Sequence, residues 1–384
     1  MMTAESKNNG AAVAAPFKIE KVQSWRATLR RAVAWKTARY TKGDIEATVV
    51  GIADELGNMG FGYMPAMLIV GESPATAEAL LHGTIAPLLR EGEIIGVPDV
   101  MKKIDFAVGA NLQLKFAVEE ALLDLQAKRM KTPLFNLFGG LSRREVPVMR
   151  MLGLKPPKET AAEARTLVDF GYRYVKIKIG VDDQRDVETV KTTRAMLGDD
   201  VVISVDANQS YAPMRAVKVL NQLEVCNLVV CEQPVRKDDV RGMAFVRQNV
   251  CTPIMADEGI ETAADALRLI EAGAMDAASI KLWKMGGYYK SREIAAVCSA
   301  ANVGVHIGST AGSQLMEAMQ LHFCAAIPEL FAGAEIGEFE SLNDDPASGL
   351  NVTEGKLTVS NRTGLGVDID MNKLQETTAF WQPN

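Results

Sequence analysis

The 384-residue chain predicts an α/β fold, a barrel of parallel strands accompanied by a smaller α+β unit. From Val146 onward, short β-rich runs alternate with helix-length amphipathic segments. Eight such runs, most separated by about 25 residues, are what successive βαβ units closing into a (β/α)8 barrel require. The runs are apolar on both faces, as in a parallel sheet covered by helices. An open doubly wound sheet is the rival, but no glycine-rich phosphate turn follows the first strand.

The segment MMTAESKNNGAAVAAPF lacks a continuous apolar core of signal-peptide length, and residues 1–16 read as loosely ordered. Strand-like stretches at Phe17–Arg30 and Ile45–Ala53 flank a polar loop, Ala38–Asp44. A helix is predicted from an N-cap at Ser73, with Ala77, Leu80, Leu81, Ile85 and Leu88 on its apolar face. A longer helix is predicted over 111–130, with a wide apolar stripe and a basic end. Gly139-Gly140 breaks the pattern, and barrel strands are expected at 146–152, 174–180, 201–208, 228–234, 253–258, 278–282, 303–309 and 333–340. The boundaries that follow are 1–145 for the N-terminal unit, 146–342 for the barrel and 343–384 for a C-terminal segment.

Composition narrows the function. The chain is 48% hydrophobic and 23% charged, which excludes disordered and collagen-like classes, and its net charge of −6 gives no footprint for nucleic acid or an anionic membrane. No apolar run approaches the ~20 residues of a membrane span. Cys226, Cys231, Cys251, Cys298 and Cys324 are odd in number and never spaced C-x-x-C, a pattern of buried thiols in a reducing cytoplasm.

The chemical signal is a register. Lys178 to Asp206 is 28 residues, Asp206 to Glu232 is 26, Glu232 to Asp257 is 25, and Asp257 to Lys281 is 24. Each step is one βα unit, and each ionisable residue ends a predicted strand, so the five meet on the rim where barrel active sites form. One charged strand end is commonplace and usually solvated; five in register are a constellation. Three converging carboxylates repel unless a cation joins them, and an all-oxygen set points to Mg2+ or Mn2+ rather than zinc. Such a metal leaves positions for water and substrate and acts as a Lewis acid. Lys176 and Lys178 share a strand face, so burial, a nearby metal and mutual repulsion are expected to lower a lysine's pKa towards that of a useful base. The implied reaction removes a proton from a carbon next to a carboxylate, with the metal stabilising the enediolate.

The elements K-I-K (176–178), D-A-N (206–208), E-Q-P (232–234), A-D-E (256–258) and S-I-K-L-W-K-M-G-G (279–287) resemble those of the enolase superfamily, in its muconate lactonizing enzyme (muconate cycloisomerase) subgroup. GGLSRREVPV and the 111–130 helix resemble that family's domain junction, so the likeness spans nearly the whole chain. It implies a (β/α)7β-type TIM barrel, with an α+β capping domain formed by the N-terminal third and the C-terminal tail. It implies Mg2+ on Asp206, Glu232 and Asp257, with Lys178 and Lys281 as acid/base groups on opposite faces of the substrate and Lys176 supporting Lys178. Asn208 and Glu258 would orient substrate or the inner groups, while loops around Ala38–Asp44 and Met59–Ile69 would close over the mouth. A homo-oligomer acting on a small carboxylate is implied as well.

Several reactions share the enolate step: cycloisomerisation of a muconate, racemisation or epimerisation of N-acyl amino acids and dipeptides, and syn-dehydration. The cycloisomerase-like reading leads, and a non-catalytic binding protein is the alternative from another class. Dipeptide epimerases carry acids near the eighth strand to hold an ammonium; here Glu338 and Glu340 are the candidates, against solvated strand-end acids. His306 ends the seventh strand and either contacts substrate or is a packed, hydrogen-bonded histidine. Met59, Met64 and Met67 either line an adaptable pocket or fill the core, and Gly286-Gly287 serves a turn.

Overall fold

The computed structural model describes residues 16–31, 35–36, 41–67 and 70–376. The N-terminal region opens with an antiparallel sheet of β1 (Ile19–Arg31), β2 (Ile45–Asp54) and β3 (Met59–Met64). The first two match the expected strands closely. The third falls where a loop was expected, because Gly60 and Gly62 give Met59–Met64 the look of a turn. In the structure these glycines let β3 lie directly on a helix. A Cβ at Gly60 would sit 2.0 Å from the Ala121 carbonyl oxygen, and one at Gly62 would sit 1.9 Å from that of Ala117.

Helix α1 (Pro74–Leu80) starts at the expected N-cap: Ser73 Oγ accepts from the Thr76 amide, and Thr76 Oγ1 accepts from the Ser73 amide. A π-turn at Leu81–Ile85 joins it to α2 (Ala86–Arg90). The sequence reading did not anticipate α3 (Val97–Ala107). Helix α4 (Leu112–Arg129) is the predicted long helix, but it is buried on nearly every side rather than along one stripe. Its polar residues take up the amides along β3: Asp124 accepts from Phe61 and Glu120 from Tyr63.

Seven parallel strands follow: β4 (Met149–Leu152), β5 (Tyr174–Lys178), β6 (Val202–Asp206), β7 (Val230–Glu232), β8 (Ile254–Ala256), β9 (Ala277–Ile280) and β10 (Gly304–Ile307). Each pairs with the next in chain order, so the sheet is an unbroken parallel series. The eighth strand expected at 333–340 is reduced to one residue. Ala334 bridges Val148 on one side and Ile307 on the other, closing the barrel, and Glu338–Ser341 turns into a 3-10 helix. Gly333 at φ +74° and the turn after Gly337 keep this stretch from extending further.

The chain after the barrel returns to the N-terminal sheet. Leu342–Asn343 and Gln375–Glu376 both pair antiparallel with β1. A large hydrophobic core runs from Phe17 and β1 through α4 to the barrel strands, and a second, small cluster joins Val230, Met255 and Ala277 of neighbouring strands. All five cysteines are free, four of them buried and Cys251 exposed. Among the described residues no helix is long and apolar enough to cross a membrane.

Candidate active site

The parallel strands end on one rim, and the residues picked out by their spacing gather there. Lys176 and Lys178 alternate with Ile177 on β5, so both ammonium groups enter the barrel mouth, 1% and 8% exposed. Lys176 Nζ lies 2.7 Å from Glu232 Oε2 and also contacts Glu335. Lys178 is hydrogen-bonded to Asp206 and, at 3.1 Å, to Asn208 Oδ1. Across the mouth, Lys281 Nζ lies 2.5 Å from Asp257 Oδ2 and 3.8 Å from Glu232 Oε1. The three carboxylates thus end adjacent strands β6, β7 and β8, with a lysine on either side.

Lys176, Lys178, Asn208, Asp257, Lys281 and Glu335 line a cavity of about 280 Å3, while Asp206 and Glu232 lie behind its lining residues. Its floor holds Lys176, Lys178, Asp257, Lys281 and Glu335, and Met67 and Val70 reach it from the N-terminal region. Of the three methionines considered for this role, Met67 lines the cavity while Met64 is wholly buried in the core. Of the two loops expected over the mouth, residues 38–40 of the first and 68–69 of the second lie outside the described residues.

Electrostatics tie the cluster together. Burial, reinforced by the charges of Asp206, Glu335 and Asp257, pushes Glu232 up to about 8 despite Lys176. Asp257 moves the other way: burial opposes its ionisation, but Lys281 and Lys284 outweigh that and hold it well below the usual range. The lysines depart from expectation. Burial does lower the pKa of Lys176 and Lys281, yet the facing carboxylates outweigh burial, so both stand above the ordinary lysine value. Within the protein's own groups, acids dominate each ammonium's surroundings.

As they stand, the carboxylates are turned towards ammonium groups, and among the described residues no three acidic, histidine or cysteine side chains are drawn together tightly enough to hold a metal ion. The donor chemistry of the bay nonetheless fits a divalent cation. Glu232 Oε1 is buried with no hydrogen-bond partner, and the bay is built wholly of oxygen donors. Asp206, Glu232 and Asp257 are the residues that could hold it.

The remaining candidates divide. Asn208 bridges Lys178 and Glu258, to which it donates at 3.4 Å; the other Glu258 oxygen is buried without a hydrogen-bond partner, and burial beside Asp257 and Asp206 raises its pKa. Glu338 lines the cavity but accepts from the Met151 amide and lies 3.3 Å from Arg150 Nε. Glu340 is not among the cavity residues; Arg150 and the Tyr172 hydroxyl engage it. His306 is buried behind the floor, between the Phe331 carbonyl oxygen at 3.1 Å and Glu335 at 3.3 Å.

Three residues of the site were missed. Lys284, three residues after Lys281, donates to Asp257 Oδ1 at 2.6 Å and to its carbonyl oxygen at 2.5 Å. Glu335, an acid inside the apolar run G-A-E-I-G, sits at the barrel seam, where burial opposes its charge but Lys176 and His306 hold its pKa below the usual range. Gln233 follows Glu232 at φ +36° and accepts from the Asp257 amide at 2.9 Å, tying the ends of β7 and β8 together. The repeated lysine in K-L-W-K and the lone acid in an apolar strand were the available signals.

A seven-stranded barrel closed by a one-residue seam, with ionisable groups on successive strand ends, defines a class of barrel enzyme whose chemistry is built at the strand ends. Two family models match the chain: "Mandelate racemase / muconate lactonizing enzyme, N-terminal domain" over residues 22–139 and "Enolase C-terminal domain-like" over 159–373. The chain belongs to the enolase superfamily, among its muconate lactonizing enzyme-like members, and is an isomerase of that superfamily. It is 29% identical over 355 residues to the L-Ala-D/L-Glu epimerase of Bacillus subtilis, covering 91% of this chain and 97% of the relative. Its structure resembles the muconate lactonizing enzyme of Pseudomonas fluorescens complexed with muconolactone (TM-score 0.89, 27% identity, 93% of this chain and 98% of that one). It also resembles the dipeptide epimerase of Enterococcus faecalis complexed with Mg and the dipeptide L-Leu-L-Tyr (TM-score 0.85, 28% identity, 91% and 99%).

Proposed function

We propose that this chain is a Mg2+-dependent racemase or epimerase that moves the proton next to a substrate carboxylate from one face of the carbon to the other. The observation that carries the reading is the placement of Lys178 on the second barrel strand and Lys281 after the sixth. Strands four apart in a ring of eight face one another, so the two ammonium groups address a substrate from opposite sides. A neutral lysine on one side takes the proton; the ammonium on the other returns one, and the carbon inverts.

The oxygen bay of Asp206, Glu232 and Asp257 would hold Mg2+ (or Mn2+), and the partnerless Glu232 oxygen supports that assignment. When bound, the ion supplies positive charge beside the substrate carboxylate, where negative charge grows as the proton leaves. Lys176 and Lys284 fix Glu232 and Asp257, and Asn208 holds Lys178 in line. The region 1–145, with the tail 343–384, acts as a cap whose Met67 and Val70 help choose the substrate. Cycloisomerisation is the second reading, favoured by the likeness to the muconolactone-bound structure; it needs the same bay but one lysine.

The test incubates the protein with Mg2+ in D2O and a panel of N-acyl L-amino acids, L,L-dipeptides and cis,cis-muconate, followed by NMR and polarimetry. Deuterium at the α-carbon with loss of optical rotation is expected. Ring formation from the diene diacid without α-exchange would replace this reading with the second one. No reaction across the panel would overturn both.

A further inference from the structure

The cavity wall contributed by the N-terminal region is held by two side chains that take no part in the chemistry proposed above. Gln113, wholly buried in the first turn of α4, grips the backbone of Met67 from both sides: its Oε1 accepts from the Met67 amide at 2.9 Å, and its Nε2 donates to the Met67 carbonyl oxygen at 3.3 Å. Glu72, 4% exposed, spends one carboxylate oxygen on the Gln113 amide and the other on the Leu114 amide, both at 3.0 Å. These are unfilled donors at the helix start, where a carboxylate is favoured. Met67 and Glu72 flank Val70, so the wall is anchored on both sides to a single helical turn. Gln113 is also the last rung of a ladder along α4, after Asp124 on the Phe61 amide and Glu120 on the Tyr63 amide.

The same turn touches the opposite wall. Leu112 Cδ2 lies 3.0 Å from the point where a Cβ on Gly286 would stand, two residues beyond Lys284 and five beyond Lys281. The first turn of α4 is therefore in contact with the segment carrying Trp283 and Lys284 while it grips Met67, and these residues line one cavity.

We infer that Gln113 and Glu72 are positioning residues that set the distance from Met67 and Val70 on one wall to Lys281 and Lys284 on the other, and with it the size of substrate group the cavity accepts. The inference rests on the reading of this cavity as the substrate site. Gln113→Leu keeps the shape and removes both bonds to Met67; Gln113→Glu keeps an acceptor for its amide.

Two readouts decide it. Hydrogen–deuterium exchange on the full chain, with overlapping peptides spanning Met67, should show its amide exchanging at least tenfold faster in Gln113→Leu, with the body of α4 unchanged and partial protection regained in Gln113→Glu. With the panel member that the wild type deuterates fastest, Gln113→Leu should raise KM at least fivefold and leave kcat within twofold, and Gln113→Glu should recover part of that loss. An unchanged Met67 amide, or kcat falling with KM constant as a loss of folded enzyme would produce, overturns the inference. If the wild type deuterates nothing, the functional reading falls, and the amide exchange alone decides whether the clamp exists.

Discussion

Replacing Lys281 with alanine should separate the two faces of the reaction. Its ammonium, 12% exposed, lies 2.5 Å from Asp257 and 3.8 Å from Glu232, and truncation removes the proton carrier of one face. Lys284 cannot stand in, because two bonds to Asp257, at 2.5 and 2.6 Å, hold it in place. Those same bonds keep Asp257 paired, so the barrel should fold. A positioned acid or base contributes about 10²–10⁴-fold, so racemisation should fall by that factor, or about 3–5 kcal/mol of barrier. Lys178 remains, and the enantiomer presenting its hydrogen to Lys178 should still exchange with D2O while retaining configuration. Lys178→Ala should reverse the preference. The assay is α-deuteration of each pure enantiomer, followed by NMR alongside chiral chromatography. Equal loss for both enantiomers in Lys281→Ala, or undiminished racemisation, would refute the two-lysine argument.

Chelation with EDTA should abolish exchange, and Mg2+ at a hundredfold excess over its Kd should stabilise the wild type by about 2.7 kcal/mol in thermal unfolding; Asp206→Asn should lose most of that gain. Gly62→Ala, whose new Cβ would meet the Ala117 carbonyl oxygen at 1.9 Å, should cost about 3 kcal/mol or more by denaturant unfolding. Burial raises Glu119 to about 8, so its contribution is fully present below the unfolded value near 4.5 and is lost as pH rises towards 8. Glu119→Gln should therefore remove a fall in stability of up to about 1.4 kcal/mol per pH unit across that window, read from unfolding curves at several pH values.

The barrel was legible because its strands repeat at a nearly constant interval, and a repeat survives errors at the ends of individual elements. Lys178, Asp206, Glu232, Asp257 and Lys281 were legible for the same reason: each closes one unit of that repeat. Strand β3 was not, since glycines that permit contact with α4 read locally as a turn, and only the helix laid against them reveals their purpose. The eighth strand was overread because an apolar stretch with glycines at Gly333 and Gly337 can supply a single bridge at Ala334 and still close the ring. Glu335, Lys284 and Gln233 escaped notice because their roles depend on partners from other strands, which spacing alone does not expose. The lysine pKa expectation weighed burial, a nearby metal and ammonium repulsion but left out the number of carboxylates facing each lysine.

Helix α4 has a practical consequence for anyone recombining these proteins. It carries Asp124, Glu120 and Gln113 against one region and meets the barrel through Glu119, which accepts from the Tyr289 amide, while a Cβ on Gly287 would fall 1.3 Å from that carboxylate. A chimera that joins a foreign N-terminal sheet to this barrel must therefore inherit α4 together with both of its neighbours. A junction placed at Val146 would split matched surfaces. Exchanging short segments such as 65–72 leaves that shared spine whole and is the sounder route to new substrate preferences.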